Sequence, residues 1–159
     1  MRIAEIIRAP KRNTELHPWN TGKVPRSSFP LKSVSRLQAG NEWAWRLVEF
    51  DALDRHFRVL IRLNVGKEYY QAILGMDDPR GMLVICHHEL HTSHRDWHCH
   101  VSPCEVSNIF PGVLRDNASM RVWPRSENSE CSTRFEIRQA DAVTLAAERF
   151  GFTAQGGFI

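Results

Sequence analysis

Residues 86–100 read Cys86-His87-His88-Glu89-Leu90-His91-Thr92-Ser93-His94-Arg95-Asp96-Trp97-His98-Cys99-His100. Six of the eight histidines in this 159-residue chain fall inside that stretch. It opens in an apolar β-type run, Met82 to Ile85, and closes in a second short run, Trp97 to Ser102, around a polar tip. Two such runs around a tight polar loop predict a β-hairpin. Side chains on a strand alternate faces. On the first strand Met82, Val84, Cys86 and Leu90 then share one face, and His87, Glu89 and His91 the other. On the second strand Cys99 and Val101 form the apolar face, and His98 and His100 the polar one. With Thr92 to Trp97 as the loop, His91 lies opposite His98 and Glu89 opposite His100, and directly opposed Cβ atoms are about 4.5–5.5 Å apart. A one-residue slip would send the polar set into the core, so the hydrophobic pattern favours a register that groups the imidazoles.

Imidazole is the commonest metal ligand, and three converging rings leave coordination positions open for water or substrate. Without a cation, several histidines on one face repel when protonated and gain little when neutral. The predicted ligands are His87, His91, His98 and His100, on a divalent ion (Mn, Mg or Zn). Glu89, on the same face, is the predicted general base. Asp96 is either an outer carboxylate orienting a ligand or a turn former. His88 falls on the apolar side, as a structural residue. Cys99 or Cys104 could instead contribute a thiolate, which would favour zinc in a closed, structural site.

Working outward, the same alternation continues on both sides. Residues 56–64 place Phe57, Val59, Ile61 and Leu63 on one face and Arg58, Leu60 and Arg62 on the other. Residues 43–51 and 68–75 read as strands too, separated by turns at LDRH and Val65-Gly66-Lys67. Further strands are predicted over 119–123 and 132–138, and a helix over 142–150 capped by Asp141 and stopped by Gly151. Residues 1–7 read as a short edge strand. Residues 8–40 carry four prolines, which preclude a long helix, and a run of cations opposed by Glu15 alone. That stretch is an extended arm, either packed on the domain through Trp19 and Phe29 or clamping a polyanion. The fold class is α+β, an antiparallel β-meander sheet with a C-terminal helix and an extended N-terminal arm. It is read as one domain over 1–159, with the arm at 8–40, a β-rich core at 43–138 and the helix at 141–150.

Composition sets outer bounds. Apolar residues make up 42% and charged residues 25%, the balance of a globular protein. No apolar run approaches the roughly 20 residues needed to cross a bilayer, and no secretory leader is evident, so the expected setting is cytoplasmic with no membrane partner. The four cysteines do not form a disulfide framework for a chain of this size. A net charge of +3 is too small to argue for a nucleic-acid partner by itself.

His91 to His100 spells H-x6-H-x-H, and this resembles the three-histidine metal motif of HUH endonucleases, mobilisation relaxases in particular. The resemblance implies an antiparallel sheet, a metal held by His91, His98 and His100, and a scissile phosphate of single-stranded DNA bound to that metal. It also implies a tyrosine nucleophile. Tyr69 and Tyr70 are the two tyrosines of the chain; both precede the motif, and Tyr70 is taken as the candidate, with Tyr69 the alternative. Where the nucleophile is absent, the metal would activate water. Arg58, Arg62 and Arg95 are the expected phosphate-binding cations. The function expected is a metal-dependent phosphodiesterase or nuclease acting on nucleic acid or a nucleotide. The alternative is a non-catalytic, zinc-stabilised binding module docking a protein or nucleic-acid partner, with the 8–40 arm as the protein-docking element.

Overall fold

A computed structural model describes residues 1–33, 37, 40–93, 96–125 and 131–155. Its centre is an eight-stranded antiparallel sheet. The strands are β1 (Arg12–Leu16), β2 (Asn20–Thr21), β3 (Ala44–Ala52), β4 (Arg55–Asn64), β5 (Tyr69–Met76), β6 (Leu83–His91), β7 (His98–Val101) and β8 (Arg121–Trp123). Their order is β1-β3-β4-β5-β6-β7-β8, and β2 also pairs with β3. From β3 to β8 each strand pairs with its successor, which is a meander. Leu53 and Asp54 link β3 to β4 with φ of 51° and 55°, the left-handed pair that a tight two-residue hairpin requires.

One sheet face carries Val48, Phe50, Phe57, Val59, Ile61, Leu63, Tyr70, Leu74, Cys86, Leu90 and Cys99. Helix α2 (Gln139–Phe150) covers it with Ala142, Val143, Ala146, Ala147 and Phe150. These recur at helical spacing, so one stripe of the helix is apolar. Gly151 ends α2 in the left-handed conformation. The opposite face carries Trp45, Leu47, Leu60, Ile73, Met82 and Val84, and the arm lies across it with Val24, Phe29, Leu31 and Leu37. The arm is therefore a packing element through Phe29, while Trp19 packs on the other cluster. Covering both faces explains why β5 and β6 are buried nearly throughout.

Five sequence expectations change. Helix α2 begins at Gln139 after Arg138, so Asp141 is not its N-cap but lies in its first turn, where its carboxylate accepts from the Arg138 backbone N–H at 3.2 Å. Residues Ile3–Arg8 form a helix, α1, not an edge strand, burying Ile6. Residues 132–138 form no strand. The backbone N–H groups of Ser132 and Thr133 donate to the Asp96 carboxylate at 2.8 and 2.6 Å, so those donors are not available to a ladder. Met82 and Val84 do not share a face with Cys86, because a β-bulge sets Leu74 opposite Cys86 but Gly75 opposite Val84; the extra residue reverses the alternation. The hairpin register is shifted by two residues. Glu89 pairs with His98 and His87 with His100, whereas His91 opposite His98 was expected. Trp97 sets where β7 begins, since its ring stacks on His88 at 4.7 Å and meets Tyr70 edge-on at 5.5 Å. An even shift keeps every side chain on its expected face, and the imidazoles stay grouped.

Among the described residues no helix is long and apolar enough to cross a membrane.

Candidate metal centre

Strand alternation places Gln71 of β5, His87, Glu89 and His91 of β6 and His98 and His100 of β7 on the arm-facing side of the sheet. This face is not open. His87 and Glu89 have no solvent exposure, and His98 and His91 are 2% and 4% exposed. A carboxylate and four imidazoles thus lie where apolar side chains would ordinarily pack. Buried polar groups are tolerated only when their partners are present.

Three rings converge on one oxygen. From Glu89 Oε2 the Nε2 atoms of His91, His98 and His100 lie at 3.3, 3.4 and 3.7 Å. Glu89, His91 and His98 each bring one ligand atom within 4.8 Å of the other two, close enough together to hold one metal ion, and His100 borders that group. The outward nitrogens are held as well. His98 Nδ1 lies 2.8 Å from the Asp96 carbonyl, which can only accept, so Nδ1 carries a proton, and Nε2 faces Glu89. His91 Nδ1 is 3.0 Å from Ser93 Oγ. The Asp96 carbonyl fixes a proton on His98 Nδ1, whereas the Ser93 hydroxyl can donate to His91 or accept from it. His100 Nε2 is buried without a hydrogen-bond partner. Burial, reinforced by the Arg115 charge, pushes the His100 pKa down to about 4, so the ring is neutral at neutral pH.

Glu89 is held from its other oxygen. Oε1 accepts from Gln71 Nε2 at 2.6 Å and from Arg115 Nη2. Burial would raise the Glu89 pKa, but hydrogen bonds from His87, His91 and His98 outweigh it and hold the carboxyl far below its ordinary range. Gln71 is itself fixed, because its Oε1 accepts from Arg62 Nη1 at 3.1 Å. His87 is turned away from the three converging rings. Its Nε2 donates to the Leu114 carbonyl at 2.6 Å, and its Nδ1 faces Gln71 Nε2 at 3.3 Å.

The remaining candidates separate. Tyr70 is on the opposite face, fully buried, with its hydroxyl donating to the Ala142 carbonyl at 3.2 Å; burial raises its pKa. Tyr69 is the tyrosine beside the cluster, stacked on His91 at 4.6 Å, and burial raises its pKa to about 12. Arg62 borders the cluster through Gln71 and lies over Trp43 at 4.6 Å. Arg58 is far along the sheet, bound to Asp77 at 3.1 Å and to the Ser27 and Ser28 carbonyls of the arm. Arg95 and His94 lie outside the described residues. Asp96 faces Ser132 and Thr133, so its carboxylate anchors the hairpin tip to the 131–133 segment. Cys86 and Cys99 pack in the core under α2, and Cys104 lies against it, so the thiols are not brought to the histidines. Gln71 and Arg115 are the members of the site that sequence reasoning missed. Strand parity could have found Gln71. Arg115 comes from a loop with no periodic signal.

A second, more exposed group lies near Arg58. Glu49 Oε2 meets His17 Nε2 at 2.6 Å, Glu49 Oε1 meets His56 Nε2 at 3.2 Å, and His56 Nδ1 meets Asp51 at 2.9 Å.

No known protein family, curated protein or solved structure matches this chain. The likeness to the three-histidine endonuclease motif therefore stands on residues 91–100 alone.

Proposed function

We propose that Glu89, His91 and His98 hold one divalent cation, that His100 completes its shell, and that this cation serves hydrolysis of a phosphodiester in nucleic acid or a nucleotide. The observation that carries the first half is the buried group Glu89, His91 and His98, whose ligand atoms lie within 4.8 Å of one another, with His100 Nε2 3.7 Å from the same carboxylate oxygen. In this reading Glu89 is a ligand and not the general base, since both of its oxygens are engaged. His87 and Gln71 position Glu89. Three nitrogens and one oxygen suit zinc or manganese better than magnesium, which prefers oxygen donors.

Four protein ligands leave room for water or substrate on a five- or six-coordinate ion. The ion's part would be to polarise a phosphoryl oxygen and to lower the pKa of a bound water. That water replaces the tyrosine nucleophile, because Tyr70 is sealed under α2. The motif resemblance and the cation Arg115 beside the cluster support a phosphate ester as substrate. The test is a nuclease assay on single-stranded DNA and on bis(p-nitrophenyl) phosphate with added Mn(II) or Zn(II). Wild-type protein is expected to cleave, and His98→Ala/His100→Ala to be inactive; equal rates for the two proteins would remove the hydrolase reading.

A second reading is a metal-stabilised, non-catalytic binding module. The observation in its favour is burial, since Glu89, His91 and His98 are 0–4% exposed. Under it, chelation lowers the melting temperature and no hydrolysis is seen.

A further inference from the structure

Arg115 does more than hold Glu89. Among the described residues its one hydrogen bond is from Nη2 to Glu89 Oε1. A guanidinium has five N–H donors in a fixed fork, so Nε and Nη1 are left to other partners. Its own neighbour does not neutralise it, because the Asp116 carboxylate is taken by the Ala118 backbone N–H at 3.0 Å and the Ser119 hydroxyl at 2.7 Å. Exposure points the same way. Of the four proposed ligand side chains His100 is the most open, at 16%, against 5% or less for the others, and Arg115 is 23% exposed. The side of the cluster that meets solvent is therefore bordered by a ligand imidazole and a guanidinium.

Resting on the metal reading above, we propose that this mouth is an oxyanion subsite for a phosphoryl group, with one oxygen on the cation and another on the free edge of Arg115. A cation and a guanidinium fork set side by side recognise an anion that offers several oxygens at once. Arg115 is then a specificity-determining residue. It both orients the ligand carboxylate and receives the substrate, coupling the metal's shell to the anion that completes it.

The experiment uses the full chain loaded with Co(II), whose visible spectrum reports changes in coordination, titrated with inorganic phosphate and separately with acetate. Wild-type protein is expected to bind Co(II) and to show a saturable spectral change with phosphate, with acetate requiring about tenfold more. Arg115→Lys retains the charge and one contact to Glu89 but lacks the fork. With both proteins saturated with Co(II), its phosphate midpoint is expected to rise about tenfold or more. A phosphate titration unchanged by Arg115→Lys, or no spectral response in loaded wild-type protein, overturns the subsite and leaves the metal centre standing. Acetate acting as well as phosphate overturns the phosphoryl assignment. Failure of the wild-type chain to bind Co(II) removes the metal reading, and the subsite with it.

Discussion

Gln71→Leu separates a metal centre from a merely buried polar cluster. Gln71 is 4% exposed, and leucine nearly fills its volume without its hydrogen bonds. The substitution removes the 2.6 Å bond to Glu89 Oε1 and the 3.1 Å bond from Arg62 Nη1. Arg62 is 6% exposed and is left with an unpaired donor, which costs about 1–3 kcal/mol. For a chain of this size that lowers Tm by about 2–12 °C. Glu89 keeps Arg115 but loses its second anchor. Loss of an outer-shell partner typically weakens metal affinity by about 10–100-fold, which is about 1.4–2.7 kcal/mol. Thermal melts of the metal-free protein give the first number, and competition with a chromophoric chelator gives the second. A protein that melts lower yet binds Zn(II) with wild-type affinity would refute the reasoning, because Gln71 would then not be orienting a ligand.

Other expectations follow from the same geometry. Tyr70→Phe removes the bond to the Ala142 carbonyl and should cost about 0.5–1.5 kcal/mol while leaving metal affinity and any hydrolysis unchanged; loss of activity with stability intact would restore Tyr70 to the chemistry. Gly75→Ala places a Cβ 2.5 Å from Met82 Sδ and 2.9 Å from the Phe29 ring, and overpacking of this kind costs about 1–3 kcal/mol; the arm should become more sensitive to proteolysis, and unchanged melting would contradict its seating on the sheet. The Glu49–His56–Asp51 group should add stability within a pH window. For His56, burial alone would lower the pKa, but bonds to Asp51 and Glu49 outweigh it and raise it above 6.5, so its contribution is full below 6.5 and fades as pH rises through the raised value. For Asp51, hydrogen bonds from Asn13 and His56 lower the pKa below 3.8, and for Glu49 burial is outweighed by bonds from His56 and His17, which lower it below 4.5; their contributions are full above those values and fade as pH falls. The group's contribution should peak between pH 4.5 and 6.5, and denaturant midpoints of His56→Gln that track wild type across that range would show the coupling is absent.

What was legible in the sequence is what period-two alternation determines. Phe57, Val59 and Ile61 against Arg58, Leu60 and Arg62 gave the correct two faces of β4, and His87, Glu89, His91, His98 and His100 were correctly grouped. Features that depend on distant residues were not legible. The register rests on Trp97 docking against His88 and Tyr70, and the missing strand at 132–138 on the Asp96 carboxylate drawing in Ser132 and Thr133. The bulge beside Gly75 moves Met82 and Val84 to the arm side, which makes room there for Phe29. The burial of the histidine face could not be read either, because Leu114 and Arg115, which reach His87 and Glu89, come from a loop that carries no periodic pattern.

The most direct measurement is metal content and coordination after loading with Zn(II) and dialysis, by elemental analysis and X-ray absorption. The account predicts one zinc per chain in a shell of nitrogen and oxygen at about 2.0–2.2 Å, with zinc lost in His98→Ala/His100→Ala. A chain that retains no zinc, a sulfur shell at about 2.3 Å, or zinc retained equally by that double variant would contradict it.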